Sequence, residues 1–201
     1  MVVISLTPGP DMAFFLGRAV TRGRAAGLAA LFGAISGILV HTTLVALGLS
    51  ALIVAAPTAF LALKTAGALY LAWLAVQAVR HGSALALPDR PPDRPAASAS
   101  LAGTWASGLA INLLNPKIVL FFMTFLPQFV RAGDPHAAAQ LVVLGLLFIA
   151  VALAITVPMV FAAERVTGAL RRRPRIGRAL DWLFASVFAA FAAQLLLGRS
   201  R

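Results

Sequence analysis

Residues 7–11 read Thr7-Pro8-Gly9-Pro10-Asp11 and interrupt an apolar run, residues 1–17, in which Asp11 is the only charged side chain. Proline lacks an N–H and clashes with the carbonyl four residues earlier, so two prolines around a glycine cannot continue an ordinary helix. In an apolar environment the freed carbonyls need partners from protein, water or a ligand. A carboxylate there is costly and typical of a functional site. The stretch therefore predicts a broken membrane helix that carries a functional acid.

The composition around this stretch is that of a membrane protein. Of the 201 residues 61% are hydrophobic and only 11% are charged, and the mean hydropathy is +0.93. Soluble domains carry about 25% charged residues. Residues 27–56 contain no charged side chain, whereas a spanning helix needs only about 20 apolar residues. We therefore predict an all-α integral membrane protein.

Several function classes are excluded or disfavoured. The net charge of +11 comes from arginines between apolar spans and not on a face with interleaved aromatics, so we expect no nucleic-acid partner. The absence of cysteine excludes disulfides, a thiol nucleophile and a cysteine-pair relay. Metalloprotease, hydrolase and paired-aspartate motifs are missing, so we expect no enzyme, no cofactor and no metal site. We do not interpret residues 1–17 as a signal peptide, since they lack a basic start and a clean cleavage site.

Hydropathy predicts six spans, at about residues 1–19, 27–55, 58–79, 104–130, 137–163 and 180–197. A 19-residue helix is about 28 Å long, so either the first span crosses incompletely or the natural protein starts upstream of Met1. Residues 81–103 are polar and proline-rich, which predicts a linker. The linker separates a first three-helix repeat, residues 1–80, from a second, residues 104–201.

The basic residues predict how these spans are oriented. The connections after spans one, three and five hold three, three and six arginines, whereas those after spans two and four hold essentially Lys64 and Arg131. The positive-inside rule places the arginine-rich connections, the linker among them, in the cytoplasm and both termini outside. Because each repeat crosses the membrane an odd number of times, the two repeats must be inverted relative to each other.

The second repeat also opens with a helix that is broken at a proline. Pro116 follows Asn115 and frees the carbonyl of Asn112. Broken helices at matching positions of inverted repeats indicate a transporter binding site. The candidate site residues are Pro8, Gly9, Pro10, Asp11, Asn112, Asn115, Pro116 and Lys117.

The expected ligand is a small zwitterion. Exposed N–H groups at the start of a half-helix suit a carboxylate, and freed carbonyls with Asp11 suit an ammonium. Lys117 would be the counter-ion of Asp11 in the empty site, or one of the two takes up a proton. We interpret His41 as a satisfied donor between helices, outside the site. Gly33 and Gly37 are spaced for close helix packing, and this face would also allow a homodimer.

Ordered motifs along residues 5–130 resemble those of a known family. They are residues 7–11, then GRAAGL at 23–28, GAISG at 33–37, LKTAGALYL at 63–71, LLNPK at 113–117 and FLPQF at 125–129. Together they resemble the LysE/RhtB family of amino-acid exporters. The resemblance implies export of amino acids or close derivatives across the bacterial inner membrane, driven by the proton gradient. It also implies that the Pro-Gly-Pro and Asn-Pro-Lys segments are central.

We therefore predict a multi-pass inner-membrane exporter that works by alternating access on amino acids or related small zwitterions. Its partners would be the substrate, the lipid bilayer and protons. One intramembrane acid, Asp11, favours neutral or apolar amino acids over cationic ones. A passive membrane channel and a non-transporting membrane scaffold remain as alternatives.

Overall fold

The computed structural model describes residues 1–6, 9–49, 100–130 and 134–172, with further single or paired helical positions between 65 and 80 and between 175 and 193. Within these ranges all regular structure is helical and no strand occurs. The predicted third and sixth spans fall largely outside the described residues. Most of the linker, Thr7 and Pro8 lie outside them as well.

The first half begins with three helices. They are α1 (Val2–Leu6), α2 (Pro10–Arg22) and α3 (Arg24–Leu44), and α3 runs on into a π-helical segment, Val45–Leu49. The α2–α3 turn is a single residue, Gly23, at φ 87°, a conformation that costs glycine least. This turn returns α3 directly along α2.

The second half continues with α4 (Leu101–Leu113) and α5 (Pro116–Leu120). A π-helical segment, Phe121–Phe125, and a 3₁₀ turn, Leu126–Phe129, follow α5 without a gap. The chain then forms α6 (Ala137–Phe161) and α7 (Ala163–Arg172). Pro158 lies inside α6 and does not end it.

Two of these helical stretches, Arg24–Gly48 and Ala137–Phe161, are long and apolar enough to cross a membrane. A third qualifies if Leu101–Leu113 and Lys117–Phe129 form one span that is bent by 54° at the break between them. The predicted all-α fold, with apolar helices of spanning length, is confirmed for the described residues. The arrangement as six spans in two inverted repeats stays a prediction.

The connection predicted after the fifth span is not simply a loop. Its described part, α7, is an amphipathic helix that packs against α2. Thr167 is buried, whereas Glu164, Arg165 and Arg172 are exposed.

Helix α3 occupies the centre of the described part and packs against α2, α4 and α6. Its contact with α4 depends on glycine on both sides. A Cβ on Gly33 would overlap the carbonyl oxygen of Trp105, and a Cβ on Gly108 would overlap that of Ala30. The glycine face of α3 is therefore used within the chain, as close packing predicted, and a homodimer stays a prediction.

Aromatic side chains fill the space between the second π-helical segment, Phe121–Phe125, and α6. Phe121, Phe122 and Phe148 are almost fully buried. The Phe122 ring lies edge-on to the other two, with centroid distances of 5.6 Å to Phe121 and 5.7 Å to Phe148. This cluster packs the segment Phe121–Phe125 against α6.

Candidate functional site

The first helix break lies between α1 and α2. Helix α1 ends at Leu6 and α2 begins at Pro10, which occupies the first helical position where a missing N–H costs nothing. Gly9 precedes it in an extended conformation and is buried, and its carbonyl accepts the Ala13 N–H at 2.9 Å. No side chain of the described residues caps this end of α2. Asp11 thus lies in the first turn, where helix N–H groups and the dipole favour a negative charge.

The second break lies between α4 and α5. Helix α4 ends at Leu113, and α5 begins at Pro116. Asn115 is extended, with φ −75° and ψ 107°, as the residue before a proline tends to be. Its Oδ1 accepts the Lys117 N–H at 3.1 Å, so Asn115 is the N-cap of α5.

The two breaks meet at Asp11. Its Oδ2 accepts hydrogen bonds from Asn112 Nδ2 at 2.9 Å and from Asn115 Nδ2 at 3.0 Å. Both asparagines are buried, with 1% and 2% exposure. Lys117 is half-buried and interacts electrostatically with Asp11. A carboxylate from the first half is therefore held by two amides from the second, about 100 residues along the chain.

Two acceptor atoms of this cluster are buried without a hydrogen-bond donor among the described residues: Asp11 Oδ1 and Asn112 Oδ1. Asn112 Oδ1 packs closely against Gly37 of α3, since a Cβ added to Gly37 would lie only 2.5 Å from this oxygen. Close approach of α3 therefore accounts for one of the two. Asp11 Oδ1 is also buried, and the described residues give it no donor. A buried unpaired carboxylate oxygen costs free energy. It is the acceptor that a ligand with N–H donors would complete.

The structure differs from the predicted site in the partners of two main-chain groups. The carbonyl of Asn112, expected to be free for a ligand, accepts the Asn115 N–H at 3.0 Å and lies 3.5 Å from His41 Nε2. The N-terminus of α5, expected to be open to a carboxylate, is capped by Asn115. Local chain geometry and a neighbouring helix satisfy these groups first.

The predicted site residues are thus only partly brought together. Asp11, Asn112 and Asn115 are in direct contact, and Lys117 interacts with them through charge. Gly9, Pro10 and Pro116 shape the two helix starts, whereas Pro8 lies outside the described residues. His41, predicted to be a satisfied donor between helices and outside the site, contacts the carbonyl of the site residue Asn112. The sequence held a signal for it, since a carbonyl freed by Pro116 needs a donor and His41 lies in a span without charges.

A protein-family model, described as LysE type translocator, matches residues 2–199 of the chain. The chain belongs to the LysE family of translocators. The match extends the resemblance of residues 5–130 to nearly the whole chain.

Individual relatives agree with the LysE assignment. An uncharacterized membrane protein of Pseudomonas aeruginosa is 32% identical over 97% of this chain and 90% of its own length. The homoserine/homoserine lactone efflux protein of Salmonella typhimurium is 29% identical over 98% of this chain and 92% of its own length. The leucine efflux protein of Klebsiella pneumoniae is 28% identical over 96% of this chain and 90% of its own length. No solved structure matches the chain.

Proposed function

We propose that this protein exports amino acids or closely related small zwitterions across the bacterial inner membrane by alternating access, coupled to the proton gradient. The observation that carries the proposal is the Asp11 carboxylate. Amides of the second half hold it at the meeting point of two broken helices, and its second oxygen is buried without a donor from the described part of the chain. Broken helices that meet in this way are the binding-site pattern of secondary transporters.

The unpaired oxygen favours an ammonium group on the substrate. Asp11 Oδ2 already accepts two amide donors, whereas Oδ1 has no donor among the described residues. An ammonium brings three N–H donors and a positive charge, and its hydrogen bond to a carboxylate is of the strong, charge-assisted kind. Substrate binding would therefore remove the cost of the unpaired oxygen and neutralise the buried acid.

Positive charge near Asp11 suits the other end of a zwitterion. The Lys117 ammonium interacts with Asp11. The start of α2, which no described side chain caps, adds the positive end of a helix dipole. When the substrate ammonium pairs with Asp11, Lys117 pairs with the substrate carboxylate instead. In the empty site Lys117 balances Asp11, and in the cycle one of the two carries a proton.

The named relatives support a substrate with an amino group. Leucine, homoserine and homoserine lactone, which appear in the relatives' names, share an α-amino group, whereas the lactone has no free carboxylate. Recognition centred on Asp11 accommodates all three. We expect this chain to export neutral amino acids of this kind, because Asp11 is the one acid that the sequence places in the site.

The wider arrangement belongs to the same proposal. Residues 1–80 and 104–201 form two inverted three-helix repeats, joined by a cytoplasmic linker at 81–103. The termini lie outside, as the arginine distribution indicates. The two broken helices each open one repeat, which supports this division.

Efflux from cells loaded with labelled leucine or homoserine tests the proposal. We compare the wild type with Asp11→Asn and Lys117→Met at equal protein level, and with Asp134→Asn as an acid-to-amide control outside the site. Loss of one charge-assisted hydrogen bond is worth about 10-fold or more, so both site variants should lose at least that much export while the control keeps it. An uncoupler should stop export by the wild type.

Three results would contradict the proposal. Unchanged export in both site variants would remove Asp11 and Lys117 from the mechanism. Flux at ion-like rates that ignores the proton gradient would indicate a passive channel. No flux of any amino acid in a full export screen would indicate a non-transporting scaffold.

A further inference from the structure

His41 lies on α3 and is 7% exposed. Its Nε2 is 3.5 Å from the carbonyl oxygen of Asn112, 71 residues along the chain. Its ring stacks on Phe122, with centroids 5.9 Å apart and planes 30° apart. A carbonyl only accepts hydrogen bonds, so this contact requires the tautomer with its proton on Nε2. The stack against Phe122 holds the ring plane in the orientation that aims Nε2 at the break.

The position of this contact follows from the helix break. In an unbroken helix the N–H of residue 116 would bond to the carbonyl of Asn112. Residue 116 is proline and has no N–H, and the Asn115 N–H takes one side of that carbonyl at 3.0 Å. A carbonyl has two acceptor lone pairs. His41 therefore supplies, from another helix, the donor that Pro116 lacks.

Asn112 connects this contact to Asp11. Its main-chain oxygen faces His41, whereas its side-chain Nδ2 donates to Asp11 Oδ2. We propose that His41 is a positioning residue of the site: it fixes the last turn of α4 so that the Asn112 amide reaches Asp11. The inference rests on the proposed function for its consequence in transport, and on the geometry alone for its effect on Asp11.

A purely structural role predicts something different. Without His41 the Asn112 carbonyl still keeps the Asn115 N–H, so the chain does not acquire an orphaned buried carbonyl, and folding should survive. What is lost is the restraint on the turn, and with it the placement of the Asn112 amide. The effect should therefore appear at Asp11 and in substrate affinity, more than in the melting temperature.

Three substitutions separate the donor from the ring. His41→Gln places an amide N–H near the position of Nε2 and keeps the donor. His41→Asn keeps an amide that is too short to reach Asn112. His41→Phe keeps the stacking on Phe122 and removes the donor. Thr43→Val is the matched control, since Thr43 is exposed and its hydroxyl donates within its own helix, to Leu39 O at 3.0 Å.

The first readout needs no substrate. The carbodiimide DCCD modifies carboxyl groups in apolar surroundings, and mass spectrometry follows the labelling of Asp11 in the purified full-length protein. Loss of the Asn112 donor should speed labelling by about 2- to 10-fold, the range for one hydrogen bond, in His41→Asn and His41→Phe. His41→Gln and Thr43→Val should label at the wild-type rate. If His41→Phe does not fold, the Asn and Gln variants decide.

The second readout is transport of labelled leucine and homoserine in proteoliposomes. The Asn and Phe variants should raise KM by a similar factor and change the maximal rate less, with Gln restoring KM. Wild-type labelling in the Asn variant, or equal labelling in the Gln and Asn variants, would overturn the role of His41. If labelling follows the expected pattern but the wild type transports no amino acid, the proposed function fails and the geometric role of His41 stands.

Discussion

Replacing Gly33 by alanine is the sharpest test of the packing that brings the two halves together. The added Cβ would overlap the carbonyl oxygen of Trp105 and lie 2.9 Å from the Leu109 nitrogen. Both atoms belong to the main chain of α4 and cannot rotate away as the end of a side chain would. The helices must therefore separate along the contact that positions Asn112 against Asp11.

The expected cost lies at the upper end for an overpacked contact, about 3 kcal/mol. For a protein of this length 1 kcal/mol shifts the melting temperature by about 2–4 °C, so Gly33→Ala should lower it by about 6–12 °C. Gly17→Ala is the control, because nothing lies within 4 Å of a Cβ there. Alanine in mid-helix is favoured over glycine by about 0.5–1 kcal/mol, so this variant should melt no lower than the wild type.

The assay is thermal unfolding in detergent, followed by circular dichroism. Gly108→Ala meets the carbonyl of Ala30 across the same contact and should be destabilised to a similar degree. The double variant should lose less than the sum of the two, because helices that have already separated admit the second methyl group. Melting of both single variants at or above the wild-type temperature would mean that α3 and α4 do not approach as described.

Two further predictions concern the aromatic cluster and the turn before α6. Phe122→Ala should lower the free energy of unfolding by about 3 kcal/mol. This is the lower end for such a cavity, because lipid is as apolar as the side chain and only the packing contribution is lost. Replacing the exposed Phe32 by alanine should cost far less, and equal melting temperatures of the two variants would argue against the cluster. The main-chain N–H of His136 and the side chain of Gln140 hold the pKa of Asp134 below its ordinary value. Its contribution to stability is therefore present at neutral pH and is lost as the pH falls through that lowered pKa, below about pH 4. Asp134→Asn should then flatten the acid side of the profile of melting temperature against pH. An unchanged profile would contradict this.

The helix breaks and the long spans could be predicted from the sequence because both are local properties. Proline cannot supply the N–H that a helix needs, and the described helices end or begin at Leu6, Pro10, Leu113 and Pro116. The predicted span at 137–163 corresponds to Ala137–Phe161. Each needs only the residues within a few turns of it.

The partners across the fold could not be predicted in the same way. The bond between Asn112 and Asp11 joins residues 101 positions apart, and the glycine face of α3 contacts α4 where a second copy of the chain had been considered. A sequence shows that a group needs a partner but not which of several candidates reaches it. His41 was predicted to be a donor between helices, and its contact is the Asn112 carbonyl on α4, a partner that the sequence could not specify.

The planar amide of Asn115 has a further consequence. One end, Oδ1, receives the Lys117 N–H at the start of α5, and the other, Nδ2, donates to Asp11 beside the start of α2. A rigid plane cannot swing one end without moving the other. A displacement of α5 relative to α2 would therefore strain both bonds together, so this single side chain couples the positions of the two helix starts.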